Sequence, residues 1–161
     1  MMKKSICFLM PFYNGANPIG GLKIVLQYAN MLSKDGYAVK IVYPYKSRYN
    51  ESLSVYQRLR DIKTYYANRK IWRGSDNWFK KETGVEEVET YSLQYRWVPK
   101  ADIYIATGVE TSDFVKDYPV EEKYYLIQGF ENLPTSNNAR IYNHQERSVL
   151  FLFCLSPPDM G

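Results

Sequence analysis

The sequence predicts an α/β fold with a doubly wound, mainly parallel sheet. Three observations predict it: short apolar runs that end at proline or glycine, a glycine-opened amphipathic helix after the first run, and alternation of such runs with helical segments. The length of 161 residues and the hydrophobic content of 45% fit one domain with its own core and exclude a disordered chain.

The opening of the chain forms a β-α-β unit. The continuous apolar run 5–10 is typical of a strand buried on both faces of a parallel sheet. After a loop rich in Asn, Gly and Pro, Gly20 and Gly21 open a helix, and Gly36 is placed to end it in a left-handed conformation. The β-branched run 38–43 forms the second strand. The apolar positions of the helix recur at helical spacing: Ile24, Val25, Tyr28, Ala29 and Leu32.

The later elements are shorter. Segment 52–72 predicts one or two basic amphipathic helices, and the loose alternation over 87–93 predicts an edge strand. Segments 101–107 and 123–128 predict strands, and 111–116 predicts a short helix between them. The stripe of the basic helix is Tyr56, Leu59, Ile62, Lys63 and Tyr66. Strands that alternate with helices in this way indicate a Rossmann-like domain.

Several functional classes are disfavoured by composition. The two cysteines, Cys7 and Cys154, and the single histidine, His144, have no metal-ligand spacing, so we expect no metal site. The G-x-G-x-x-G and P-loop patterns are absent, so we expect no nucleotide cofactor. Cys7 is expected in the core and His144 at the surface. No run reaches the about 20 apolar residues of a membrane span, and the low cysteine content favours a cytoplasmic location.

Charge is distributed unevenly around a net value of +4. Segment 46–81 carries ten Lys and Arg against three acids, whereas 82–131 carries four against eleven. The two blocks are either solvated faces that partly neutralise each other, or the basic one contacts phosphate groups or an anionic membrane. The second alternative predicts peripheral contact with the inner face of a membrane. No nucleic-acid partner is expected, because the basic segment lacks a recognised motif.

Ligands of open parallel sheets bind beyond the carboxyl ends of the strands, where the strand order reverses. Loops 14–21, 107–111 and 128–132 follow such ends and are expected on one rim. The 16 tyrosines suit surfaces and sugar-binding clefts, although a coding bias explains their number equally well. The candidate binding residues are Asn14, Gly20, Gly21, Thr107, Gly108, Glu110, Gln128, Gly129 and Glu131.

Each candidate has a plainer alternative. The amides at Gly20 and Gly21 either favour an anion such as a phosphate or form an ordinary turn and helix cap. Glu131 either binds sugar hydroxyls or is a solvated loop acid, and Glu110 either lines the rim or caps its helix. Asp102 begins a strand and is expected to be structural. The residues assign no catalytic side chain.

Two parts of the chain resemble a known family. Pro18-Ile19-Gly20-Gly21-Leu22-Lys23-Ile24-Val25, followed by Tyr28-Ala29-Asn30-Met31-Leu32 and Gly36-Tyr37-Ala38-Val39, resembles the opening of family 4 retaining glycosyltransferases. Segments 101–107 and 125–131 are similar to a subgroup related to rhamnosyltransferases of cell-surface polysaccharide assembly. The resemblance covers about residues 5–44 and 99–132.

The resemblance implies the N-terminal half of a GT-B fold, in which two Rossmann-like domains face each other across a cleft. This half would receive a glycan or lipid-linked acceptor, with Gly20 and Gly21 near the donor diphosphate and with 107–111 and 128–131 facing the acceptor. Many relatives carry a histidine where this chain has Thr107-Gly108-Val109, so no catalytic role is carried over.

The chain departs from the family pattern after the Rossmann-like segment 1–132. The donor domain, with its paired glutamates, has no counterpart, so a nucleotide-sugar is expected only with a donor domain from elsewhere. The atypical tail 133–161 predicts either a truncated or frame-disrupted product or a terminal strand that completes the sheet. Two other functions stay open: a non-catalytic Rossmann-like module that binds a phosphorylated or glycan ligand, and an inert remnant.

Overall fold

The computed structural model describes residues 4–11, 20–45, 55–68, 78–127, 141–142 and 151–154. Strands and helices alternate along most of these residues, which confirms the predicted Rossmann-like α/β fold. In chain order the elements are β1 (Ser5–Leu9), α1 (Gly20–Lys34), β2 (Ala38–Pro44), α2 (Val55–Asn68), β3 (Val85–Thr90), β4 (Ile103–Ala106), α3 (Val109–Val115), β5 (Glu122–Ile127), β6 (Ile141–Tyr142) and β7 (Phe151–Cys154).

The described strands form one sheet in the order β3-β2-β1-β4-β5-β7-β6. Neighbours among the first five pair in parallel, whereas β7 pairs antiparallel with β5 and β6 pairs antiparallel with β7. The mainly parallel sheet is therefore confirmed, and β3 lies at its edge as predicted. The pairing of β7 agrees with the alternative of a terminal strand; the division into 1–132 and 133–161 stays a prediction.

Two apolar layers cover the sheet, one on each face. β1 contributes side chains to both layers, because alternate side chains of a strand point to opposite faces of the sheet. Ile6 and Phe8 pack with α1, while Cys7 and Leu9 pack with the α3 side, where Val115 lies. Cys7 is fully buried, as predicted, and this burial raises the pKa of its thiol to about 12.

The buried face of α1 differs in detail from the predicted stripe. Val25 and Ala29 are buried as expected, but Ile24 is only half-buried. The centre of the face is formed by Leu22, Val25, Leu26 and Ala29. Compared with the predicted stripe, the buried face is therefore rotated about the helix axis. The four buried residues pack against the sheet, and Ile24 lies at the border of the buried face. At its end Gly36 has φ 87°, which confirms the predicted left-handed cap.

The stripe predicted for the basic helix is not its buried face. α2 buries Tyr65, whose hydroxyl donates to the carbonyl oxygen of Glu89 at 2.8 Å. Tyr56, Leu59 and Tyr66 are exposed. The sequence pattern names this stripe but not its orientation, because periodicity shows only that a helix has an apolar side, and tertiary packing decides which side the sheet covers.

Several tyrosines lie in the core, in addition to those at the surface that the composition predicts. Tyr43, Tyr104 and Tyr125 are among the largest fully buried side chains. The hydroxyl of Tyr104 donates to the carbonyl oxygen of Pro99 at 2.9 Å, and its burial raises the pKa of that hydroxyl to about 12. A buried tyrosine is tolerated where its hydroxyl finds such a partner.

Asp102 is structural, as predicted, and lies at the amino end of the sheet. Its carboxylate accepts hydrogen bonds from the backbone N–H and the hydroxyl of Ser5, both at 2.7 Å. These bonds, the backbone one first, lower the pKa of Asp102 below its ordinary value. The carboxylate thereby links the starts of β1 and β4.

This link predicts an acid-dependent loss of stability. A lowered pKa in the folded state contributes stability that is present at neutral pH and lost as the pH falls through the folded pKa. We expect the urea midpoint of the wild type to fall below about pH 4, and that of Asp102→Asn to fall less. The exposed Asp117 provides the control: Asp117→Asn should follow the wild-type curve. Identical pH profiles for wild type and Asp102→Asn would contradict the assignment.

Candidate functional site

The strand order reverses between β1 and β4. β2 lies on one side of β1 and β4 on the other, so the chain crosses over at this point. Leu9 pairs with Ala106 where both strands end, and the N–H of Thr107 donates to the carbonyl oxygen of Leu9 at 3.2 Å. The crevice in which such sheets bind ligands therefore lies beyond Leu9 and Ala106.

The segment that follows β1 and the segment that follows β4 lie next to each other. A Cβ atom on Gly108 would lie 3.4 Å from Cγ of Pro11. The φ of Gly108, −157°, is extended and open to any residue. The contact with Pro11 would be an ordinary van der Waals contact, so neither space nor conformation requires glycine here.

The glycine start of α1 belongs to the same edge of the sheet. Leu22, in its first turn, shares a core cluster with Met10, which directly follows β1. Gly20 is exposed, and a Cβ atom added to it would meet nothing within 4 Å among the described residues. The first turn carries no acid, and Lys23 next to it is exposed. Among the described residues, nothing covers the position of a Cβ atom at Gly20, and a helix start of this kind favours an anionic group.

The predicted segment 107–111 is engaged mainly within the fold. The hydroxyl of Thr107 donates to the carbonyl oxygen of Leu9 at 2.7 Å and is buried. The hydroxyl of Thr111 accepts the backbone N–H groups of Thr107 and Gly108, each at 3.0 Å. Thr111 therefore provides the cap that the sequence suggested for Glu110, which lies half-buried in the first turn of α3.

A group of aromatic rings lies beyond the ends of β2 and β3. Tyr45 and Tyr91 directly follow these strands, and both contact Tyr65 of α2, with ring centroids 5.6 and 5.9 Å apart. Tyr66 lies 5.2 Å from Tyr65, and Trp97 lies 5.2 Å from Tyr91. We call these five residues the rim aromatic cluster. Tyr45 and Tyr66 are its exposed members, so rings are available at the carboxyl edge of the sheet.

The cluster contains one polar atom without a partner. The indole Nε1 of Trp97 is buried and has no hydrogen-bond acceptor within the described part of the chain. The guanidinium of Arg96 lies over the Trp97 ring, 5.7 Å from its centroid. A buried unpaired donor costs about 1–3 kcal/mol, so an acceptor supplied to this atom would be stabilising.

The other candidate residues from the sequence lie outside the part of the chain that the structure describes. Asn14, Gln128, Gly129 and Glu131 lie outside the described residues, as does His144. Among the residues that the structure describes, no group of three His, Cys, Asp or Glu side chains could hold a metal ion. In the same residues, no helix has the length and apolarity needed to cross a membrane.

Sequence reasoning missed the rim aromatic cluster. Part of its signal was present, because Tyr45 lies two residues after the predicted strand 38–43 and Tyr91 lies within the predicted edge strand 87–93. What the sequence could not show is that α2 folds over both strand ends and brings Tyr65 between them. Such a contact joins positions about 20 residues or more apart and depends on the crossover.

Comparisons of the chain with family models, with curated proteins and with solved structures found no match.

Proposed function

We propose that this chain is the acceptor-binding domain of a retaining glycosyltransferase of the GT-B type. In this proposal it serves transfer of a sugar from a nucleotide-sugar to a glycan or lipid-linked acceptor in surface polysaccharide synthesis. It acts in the cytoplasm, at the inner face of the membrane, and its turnover requires a donor domain. The resemblance of segments 5–44 and 99–132 to family 4 enzymes is the starting point.

One observation carries the proposal: the reversal of strand order between β1 and β4. It supports a ligand crevice bounded by the glycine start of α1 and by the turn at Thr107 and Gly108. The bare amides of Gly20 and Gly21 suit a diphosphate or a phosphorylated acceptor. The exposed rings of Tyr45 and Tyr66 suit the apolar face of a sugar ring.

The chemistry assigned to this half is positioning. A retaining transfer needs stabilisation of a leaving diphosphate and of a sugar with oxocarbenium character, and preorganised donors and cations supply it. The described crevice offers backbone amides, rings and the exposed Lys23. We therefore assign orientation of the acceptor to this chain and stabilisation of the leaving group mostly to the donor domain.

The second candidate is a non-catalytic module that binds a phosphorylated or glycan ligand. One observation favours it. The described residues at the crevice floor, Met10, Pro11, Thr107 and Gly108, offer no titratable side chain, and the Thr107 hydroxyl is already engaged by Leu9. A binding site needs no proton donor or acceptor at this point, whereas general acid–base chemistry would.

Titration calorimetry distinguishes these candidates. The proposed transferase domain should bind oligosaccharide acceptors and show no micromolar affinity for nucleotide-sugars. Added donor domain of a family 4 enzyme should then produce transfer to a bound acceptor. Micromolar binding of nucleotide-sugars by the isolated chain would contradict this division of labour, and acceptor binding without transfer would favour the module.

Gly20→Ala tests the anion-binding role of the α1 start. A methyl group there meets nothing within 4 Å in the described part of the chain, and alanine is favoured in helices by up to about 1 kcal/mol, so the variant should be at least as stable as the wild type. The same methyl group would obstruct an anion at the amides, so affinity for inorganic pyrophosphate should fall about tenfold. Gln27→Ala, on the exposed side of α1, is the control. Unchanged pyrophosphate affinity would contradict the anion-binding role and favour the alternative that the two glycines form an ordinary turn and helix cap.

A further inference from the structure

The outer side of α2 is an apolar surface that the described chain leaves open. Val55, Tyr56, Leu59 and Tyr66 expose 75%, 76%, 63% and 54% of their surface. At 100° per residue these four positions and Lys63 fall within a sector about 100° wide, a size typical of an amphipathic helix. We call these five residues the α2 outer face. Single exposed apolar residues are normal, but a continuous sector of four marks a contact surface.

The charges around this face are positive. Lys63 lies within the sector and Arg60 beside it, and both are exposed. Asp61, which is the acid of α2, lies on the far side of the helix, is half-buried and has an interaction partner. The helix also lies in segment 46–81, with ten Lys and Arg against three acids. The face therefore complements a partner that is both apolar and anionic.

The geometry points to an anionic lipid surface as the occupant of the α2 outer face. The acyl chains of such a surface would contact Leu59 and Val55. Its anionic headgroups would attract Lys63 and Arg60, whose long side chains let their cationic groups reach the headgroups. Tyrosines such as Tyr56 and Tyr66 favour the boundary between the acyl chains and the headgroups. A second copy of the chain fits less well, because antiparallel α2 helices would bring Lys63 and Arg60 of both copies together.

Docking in this way would bring the carboxyl ends of β2 and β3 to the membrane. Tyr65 ties α2 to Tyr45 and Tyr91 at the carboxyl ends of β2 and β3. The rim aromatic cluster would thus lie next to the headgroups, where a lipid-linked acceptor presents its polar part. The inference does not depend on the proposed transfer reaction, since a binding module at the same crevice would dock identically.

Vesicle cosedimentation with the full chain tests the inference. We expect binding to vesicles of phosphatidylcholine mixed with phosphatidylglycerol, weakening with added salt, and little binding to phosphatidylcholine alone. Each cation near such a surface contributes roughly fivefold in binding, so Lys63→Glu, a change of two charges, should weaken binding about 25-fold. Leu59→Gln should weaken it about tenfold through lost apolar contact.

Matched variants elsewhere on the surface separate the face from general properties of the chain. Lys116→Glu makes the same charge change after α3, and Met31→Gln removes an exposed apolar side chain of α1. Both should bind like the wild type, and circular dichroism should show all four variants folded. Equal weakening by Lys116→Glu, or equal binding to neutral vesicles, would overturn the inference. So would a dimer in sedimentation velocity that Leu59→Gln dissociates.

Discussion

Replacing Lys81 by methionine should lower the free energy of unfolding by about 3 kcal/mol, because it breaks a buried ion pair. The carboxylate of Glu87 has a side-chain exposure of 1%; it accepts from the ammonium of Lys81 at 2.5 Å and from the hydroxyl of Tyr43 at 2.6 Å. Methionine keeps the length and the apolar stem of lysine but removes the ammonium that contacts the carboxylate. Thermal unfolding should shift down by about 6–12 °C.

Two further variants test whether charge is the cause. Lys34→Met breaks a surface pair with Glu82 at 3.5 Å and should cost less than about 1 kcal/mol. Adding Glu87→Gln to Lys81→Met removes the charge of the carboxylate while the amide oxygen still accepts from Tyr43, so stability should partly return. A double variant no more stable than Lys81→Met would show that packing, not the charge of Glu87, explains the loss.

Replacing Lys123 by methionine should also cost about 3 kcal/mol, for a different reason. Lys123 in β5 is only 2% exposed, and its ammonium donates to the carbonyl oxygens of Lys116 and Tyr118 at 2.8 and 3.1 Å. These carbonyls follow α3, where a positive charge also complements the helix dipole. Methionine would remove this donor from both carbonyls, of which that of Tyr118 also accepts from the N–H of Val120 at 2.9 Å. Chemical denaturation followed by circular dichroism should detect the loss.

Lys116→Met is the appropriate comparison for Lys123→Met. It keeps the backbone carbonyl that Lys123 binds and removes an exposed pair with Asp113 at 3.2 Å, so its effect should stay within about 0.5 kcal/mol. A Lys123→Met protein as stable as the wild type would mean that the two carbonyls do not depend on the ammonium. Retained stability in Lys116→Met and loss in Lys123→Met would confirm the capping role.

The fold was predictable because its signals are local. The apolar run at β1, the glycines that bracket α1 and the β-branched run of β2 each specify their element from adjacent residues. Gly36 was predictable as a left-handed cap because few other residues adopt that conformation without strain. Asp102 was identified as structural, although the sequence could not name Ser5 as its partner.

The candidate site was predictable only in outline. The strand ends that carry Gly20 and Thr107 could be named, since parallel strands share an edge. The inward engagement of the Thr107 hydroxyl, the cap formed by Thr111 and the aromatic contacts of Tyr65 could not. Each joins elements whose relative placement depends on strand order.

The sequence by itself determined that this chain forms alternating strands and helices, a mainly parallel sheet and a basic amphipathic helix. Tertiary structure alone decided that β1 and β4 are neighbours, that Lys123 and Glu87 are buried with partners, and that α2 turns Leu59 outward. The physical reason is that periodicity records which side of an element is apolar. What that side meets depends on long-range packing, which adjacent residues do not encode.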